Sequence, residues 1–268
     1  MVRECPSHQP FVLQADPDSS QAALLIHGLA GGCYQLRWLG EYLQQQGMTA
    51  QGINLPGHES SLAKMPYTRW PQWTDHALQA YLALQQQYLN VAIVGHSMGC
   101  LVALHLAAQQ PIDKLVLLAP FMALRYHWYH LLPKEAYLQL LRRFVNHVPR
   151  PHLAIQDPEL RRLAQSKGFM GSFNLQSLAS ALELQDQIKR NLTLIQTPVL
   201  IIQSSQDQVV DPAWAQRLYE RLGSTHKQLH WLHNCDHTLT MDKEYPQVFE
   251  WVHSFLQAGC QNSQNPVS

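Results

Sequence analysis

Charge of either sign is scarce in this chain. Lys, Arg, Asp and Glu together make up 14% of its 268 residues, and 19 basic residues balance 19 acidic ones. Such a balance leaves no electrostatic footprint for nucleic acid or for an anionic membrane surface, so neither is expected as a partner. Long apolar runs are also missing. None approaches the roughly 20 residues that cross a bilayer, so no integral membrane segment is expected. The opening residues, MVRECPSHQPF, hold no apolar stretch of the kind a secretory signal carries. The five cysteines (Cys5, Cys33, Cys100, Cys235 and Cys260) are odd in number and lack metal-ligand spacing. They read as free thiols in a reducing compartment, which points to a cytoplasmic protein.

What the chain does have is enough apolar material for a large core, at 46% of residues. Its length suits one large α/β domain. Glutamine takes the place of many surface charges, as in Gln44-Gln45-Gln46 and Gln85-Gln86-Gln87. Apolar residues at helical spacing surround these runs, so they read as solvated helix faces.

Short apolar runs alternate with helical patterns. Strands are expected at Ala22 to Ile26, Thr49 to Ile53, Val91 to Val94, Leu115 to Leu118, Val199 to Ile202 and Leu229 to Leu232. Between them lie a helix holding Trp38, Leu39, Tyr42 and Leu43, a helix over Trp73 to Tyr88 and another over Cys100 to Gln110. Alternation of this kind predicts a mostly parallel sheet with helices on both faces. From about Phe121 to Phe173 the rhythm breaks. Aromatics and histidines (Tyr126, His127, Trp128, Tyr129, His130) and prolines (Pro133, Pro149, Pro151) replace it, with helical spacing in Ala136 to Val145 and no strand signal. This predicts a small helical cap over residues 121–173, with the core formed by 1–120 and 174–258. The alternative is a surface excursion whose aromatics pack on themselves. A helix over Leu175 to Ile188 returns the chain to the core, another spans Lys243 to Leu256, and the polar tail 259–268 is expected to fray.

The stretch Gly95-His96-Ser97-Met98-Gly99 sits between an expected strand and an expected helix. Strand, Gly-x-Ser-x-Gly and helix together form a nucleophile elbow, a tight turn that exposes Ser97 at the top of a sheet. A serine hydroxyl needs a base, a group to orient that base, and donors for the oxyanion. On a sheet of this kind the acid and then the histidine follow the serine along the chain.

Asp207, in the loop after Val199 to Ile202, is the acid candidate. Asp211 is its rival, but Pro212 beside it marks Asp211 as a helix N-cap. The base candidate is His237, after the strand Leu229 to Leu232. Asp236 is not expected to orient it, because adjacent side chains on extended backbone point apart. His226, His230, His233 and His237 would share one face of a helix, which is a metal-like spacing. The segment reads better as a strand, where they do not converge, so no metal is expected there. The oxyanion donors are expected to be the backbone N–H of Met98 and that of Leu29, in the loop His27-Gly28-Leu29-Ala30-Gly31-Gly32. His27 and His58 read as structural.

Taken together, the chain resembles the α/β-hydrolases through His27-Gly28-Leu29, Leu55-Pro56-Gly57-His58, GHSMG and the loops of Asp207 and His237. Within that superfamily it is similar to small bacterial carboxylesterases and monoacylglycerol lipases, in HGLAGG, GHSMGC and the segment from Asp236 to Glu244. The resemblance implies a Ser97–His237–Asp207 triad, a small cap, no cofactor and hydrolysis of short- to medium-chain acyl esters through an acyl-enzyme. Relatives often carry glycine where this chain has Asp236. Thioester hydrolysis or C–C bond hydrolysis by the same triad remains an alternative, as does a non-catalytic ligand-binding role.

Overall fold

All six expected strands form in the computed structural model, which describes residues 7–59, 64–125, 144–150, 152–168 and 170–258. They are β2 (Gln21–Ile26), β3 (Thr49–Ile53), β4 (Asn90–His96), β5 (Leu115–Leu118), β8 (Val199–Ser204) and β9 (Lys227–Leu232). A short strand that the apolar pattern does not announce, β1 (Phe11–Leu13), adds an edge. The seven strands run in the order β1-β3-β2-β4-β5-β8-β9. Only the edge pair β1–β3 is antiparallel.

Continuous apolar strands follow from burial on both faces. Along β2, Ala22, Leu24 and Ile26 point into one core layer while Ala23 and Leu25 point into the other. The same alternation divides Val91 and Ile93 from Ala92 and Val94 on β4. One layer is closed by α1 (Tyr34–Gln45) and α7 (Tyr245–Gln257), through Leu36, Leu39, Leu43, Val248, Phe249 and Val252. The other is closed by α2 (Trp70–Gln85), α3 (Met98–Ala107), α5 (Leu175–Asn191) and α6 (Ala213–Arg221), through Trp73, Leu101, Leu184 and Leu218 among others. Every residue of α3 but His105 is buried, as befits a helix enclosed between the sheet and two neighbouring helices.

Sheet order decides where a ligand can enter. After β2 the chain steps outward to β3, then returns across β2 to β4. The loops following β2 and β4 therefore diverge, and a crevice opens between them at the strands' C-terminal ends. The loop 27–33 and Ser97 lie at that crevice.

The insertion between β5 and β8 corrects the expectation that it carries no strand. His147–Pro149 (β6) and Ser172–Asn174 (β7) pair as an antiparallel ribbon, with Val148 opposite Phe173. Their brevity explains why no alternation is visible in the sequence. A helix, α4 (Pro158–Gly168), lies between them. The expected aromatic and helical part of the cap at 126–143, and the tail 259–268, lie outside the described residues. Among the described residues, no helix is long and apolar enough to cross a membrane.

Candidate active site

Ser97 occupies the turn from β4 into α3 with φ 55° and ψ −115°. A non-glycine residue in this region is strained and persists only where its surroundings hold it. They do so here. The Ser97 N–H donates to Leu118 O at 2.9 Å, and the Ser97 carbonyl accepts from Cys100 N at 3.0 Å and Phe121 N at 3.2 Å. The flanking glycines allow the close approach. A Cβ on Gly95 would lie 2.6 Å from Gly99 O, and one on Gly99 would lie 2.2 Å from Ile26 O.

His237 Nε2 is 2.8 Å from Ser97 Oγ, and His237 Nδ1 is 2.7 Å from Asp207 Oδ2. In the neutral imidazole the nitrogen facing the carboxylate carries the proton, so Nε2 is left to accept from the serine hydroxyl. The three side chains are buried. Asp207 Oδ1 accepts the N–H groups of Val209 at 2.8 Å and Val210 at 2.9 Å, and Gln203 Nε2 donates to Oδ2 at 3.1 Å. Burial alone would raise the Asp207 carboxyl. His237, by its charge and its hydrogen bond, and the two backbone N–H groups outweigh that and hold it below the usual carboxylate range. Arg125 also donates to the Asp207 carbonyl.

The N-cap of α6 is Pro212, one residue after the expected Asp211, and Asp211 Oδ1 accepts the Ala213 N–H at 3.1 Å, so Asp211 serves the start of this helix. Asp236 Oδ1 accepts the N–H of Gln208 at 2.9 Å and of His237 at 2.8 Å, so it shapes the loop and leaves the imidazole to Asp207. The other three histidines of the metal-like spacing are separated by strand geometry. His226 contacts Thr225 Oγ1, His230 stacks on Trp251 with ring centroids 4.6 Å apart, and His233 contacts Ser205.

The loop after β2 is held from within. His27 Nε2 accepts the Leu55 N–H at 3.0 Å, which leaves Nδ1–H to donate to Gly28 O at 2.8 Å. The Gly28 N–H donates to Gln35 Oε1 at 3.2 Å, and the Ala30 N–H donates to His58 Nε2 at 3.0 Å. His58 is itself fixed by Pro56 O at 3.2 Å. Burial pushes His58 down to about 4 and His27 well below its ordinary value, so both stay neutral acceptors at neutral pH. None of these bonds uses the Leu29 N–H, and none of the elbow's uses the Met98 N–H.

A cavity of about 350 Å³ lies over Ser97. Leu29, Phe121, Leu124, Phe173, Leu178 and Val209 form its apolar walls, and Arg150, His152, Gln208 and Asp236 bring polar groups to it. Sequence reasoning did not single out Gln203, Arg150 or Asp242. The Asp242 carboxylate accepts the N–H groups of Gln156 at 2.7 Å, Asp157 at 3.0 Å and Asp236 at 2.7 Å, tying the insertion to the His237 loop. No local pattern marks such a residue, because its partners come from remote segments. His96 also escaped notice. Its Nε2–H donates to the His237 carbonyl at 3.0 Å, and burial drives it down to about 3.

The family model described as serine aminopeptidase, S33 (Hydrolase_4) matches residues 17–244. A carboxylesterase of Bacillus subtilis (strain 168) is 25% identical over 253 residues, covering 93% of this chain and 96% of that protein. A thermostable monoacylglycerol lipase of Bacillus sp. (strain H-257) is 27% identical over 249 residues, covering 90% and 91%. Among solved structures, one of the metagenome-derived lipolytic enzymes LipS and LipT superposes with a TM-score of 0.82 at 22% identity, covering 95% of this chain and 99% of that one. A soluble variant of monoglyceride lipase from Saccharomyces cerevisiae gives 0.76 at 18% identity, covering 95% and 96%. The structural likenesses establish the α/β-hydrolase fold.

Proposed function

The chain belongs to the serine aminopeptidase S33 family (Hydrolase_4), and on that premise we propose that it is a serine hydrolase of carboxylic esters, of the carboxylesterase or monoacylglycerol-lipase type. The observation that carries this is the unbroken relay from Ser97 through His237 to Asp207, at 2.8 and 2.7 Å, on the floor of an apolar cavity. Ser97 Oγ attacks the ester carbonyl while His237 Nε2 takes its proton. The Leu29 and Met98 N–H groups receive the oxyanion, helped by the N-terminal end of α3. His237 returns the proton to the leaving alcohol, and an acyl group remains on Ser97. Water, activated by the same imidazole, then releases the acid. Asp207 keeps the imidazole in the productive tautomer. No cofactor is needed.

Residues 121–173 act as a cap on the core formed by 1–120 and 174–258. The support is that Phe121, Leu124, Arg150, His152, Ala154 and Phe173 all face the cavity. A cavity of about 350 Å³ with mostly apolar walls suits short- to medium-chain acyl groups. The even charge balance favours a small-molecule ester over a polyanion. The buried free thiols of Cys33, Cys100 and Cys235 favour a reducing, cytoplasmic setting.

Incubation with a fluorophosphonate probe followed by peptide mapping tests the proposal. Label is expected on Ser97 alone, with turnover of p-nitrophenyl esters that peaks at short to medium chains. An unlabelled protein with no esterase activity overturns it. Turnover of acyl-CoA or diketone substrates in preference to oxygen esters would keep the triad and move the reaction class.

A further inference from the structure

Arg150 comes from the insertion, yet it touches the loop that follows β2. Its Nη1 donates to Ala30 O at 2.9 Å. Its backbone is fixed by the ribbon: the Arg150 N–H donates to Gly171 O at 2.8 Å, just past the Pro149–Ser172 pair. The ribbon is anchored in turn, with His147 Nε2 3.0 Å from Met65 O and the Leu175 N–H 2.9 Å from Asn146 O.

Ala30 is the point where the chain turns over the site, with φ 51°. A non-glycine residue in this conformation needs support from its surroundings. It receives support on both sides. His58 accepts the Ala30 N–H from the core, and Arg150 donates to the Ala30 carbonyl from the insertion. Leu29, whose N–H is the oxyanion donor in the reading above, is the residue immediately before Ala30. The loop therefore lies between two struts, and one of them belongs to a different layer of the protein.

We infer that Arg150 is a positioning residue: its hydrogen bond to Ala30 O holds the oxyanion loop in register with Ser97, so that the insertion helps set the turnover rate as well as shaping the cavity. The oxyanion part of this inference rests on the ester-hydrolase reading; the strut itself does not. Guanidinium suits the task because it stays charged even though enclosure lowers its basicity, and its fork of donors is rigid. A lysine at this position would keep the charge and lose the fork.

The test compares the wild-type protein with Arg150→Ala and Arg150→Lys. Arg150→Ala is expected to lower kcat on p-nitrophenyl butyrate by roughly tenfold to a hundredfold, since a small misplacement of an oxyanion donor is felt mainly in the transition state, while KM stays about constant. Affinity for a trifluoromethyl ketone, which forms an oxyanion adduct, should fall by the same factor. Affinity for an uncharged ether analogue of the substrate should not. Added guanidinium ion should restore part of kcat in the alanine variant, and Arg150→Lys should fall between the two. Hydrogen exchange at the Ala30 amide should speed up in Arg150→Ala, with the sheet unchanged. A rise in KM with kcat intact, or unchanged exchange at Ala30, overturns the inference. If Arg150→Ala does not fold, the same measurements on Arg150→Lys decide. If the wild-type protein neither turns over esters nor takes the fluorophosphonate, the ester reading falls, and exchange at Ala30 still decides the strut.

Discussion

Gly99, in the first turn of α3, lies so close to the end of β2 that a methyl group on it would sit 2.2 Å from the Ile26 carbonyl oxygen. That contact sets the distance between the serine's helix and the loop that starts at His27. The obstructing atom is backbone in the middle of a sheet and cannot move aside. Gly99→Ala is expected to destabilise the fold by about 1–3 kcal/mol, as overpacking does, and to lower kcat more than it raises KM. Urea denaturation together with steady-state kinetics checks both parts. A variant with wild-type stability and turnover would show the contact to be slack.

The relay makes two separable demands. Ser97→Ala should abolish turnover and probe labelling without loss of stability, since it removes one oxygen atom. Asp207→Asn keeps the shape and reverses the imidazole's hydrogen bonding, so kcat should fall about 10⁴-fold. Circular dichroism of both variants separates lost chemistry from lost fold.

Stability should fall steeply in mild acid. His58 and His96 sit at about 4 and about 3 in the folded protein, with burial as the main cause, against an ordinary 6.5. Below pH 6.5 the unfolded chain takes up these protons and the folded one does not. Stability is therefore complete above that pH and declines as the pH drops toward about 4, by about 1.4 kcal/mol per pH unit for each such histidine. Asp207 acts in a lower window. Its folded value is depressed, so its contribution is intact above its ordinary 3.8 and is lost as the pH falls through the folded value. Melting temperatures from pH 7 to pH 4 test the histidine part. His58→Gln should flatten the slope, while also lowering stability at pH 7 by loosening Ala30.

Leu178 reaches the cavity wall from α5 and is buried. Leu178→Trp should shorten the preferred acyl chain, and each methylene no longer accommodated should lower kcat/KM by about fourfold, from about 0.8 kcal/mol of lost burial. A series of p-nitrophenyl esters of graded length reads this directly. An unchanged chain-length profile would place the acyl group elsewhere.

Much of this molecule is legible in its residue order. The apolar runs at Ala22, Thr49, Val91, Leu115, Val199 and Leu229 become strands because a sheet buried on both faces requires continuous hydrophobicity. Gly95 and Gly99 mark the elbow because nothing larger fits beside the Gly99 and Ile26 carbonyls. Asp207 and His237 stand in loops at strand ends, in the chain order that the resemblance to α/β-hydrolases implies. Asp211 could be set aside because Pro212 beside it signals a cap.

What stayed hidden depends on partners distant in the chain. The strands β1, β6 and β7 are each three residues long, too short for any alternation to show. Gln203, Asp242 and Arg150 look like ordinary polar residues until the fold brings Asp207, the His237 loop and Ala30 against them. Sequence alone determined the longer strands and helices and the serine, aspartate and histidine that meet at the site, because periodicity and turn chemistry are local properties. Tertiary structure alone decided which backbone carbonyl Arg150 would hold and how the loop after β2 is braced at Ala30. Those are distances between segments from different layers, and no local rule encodes them.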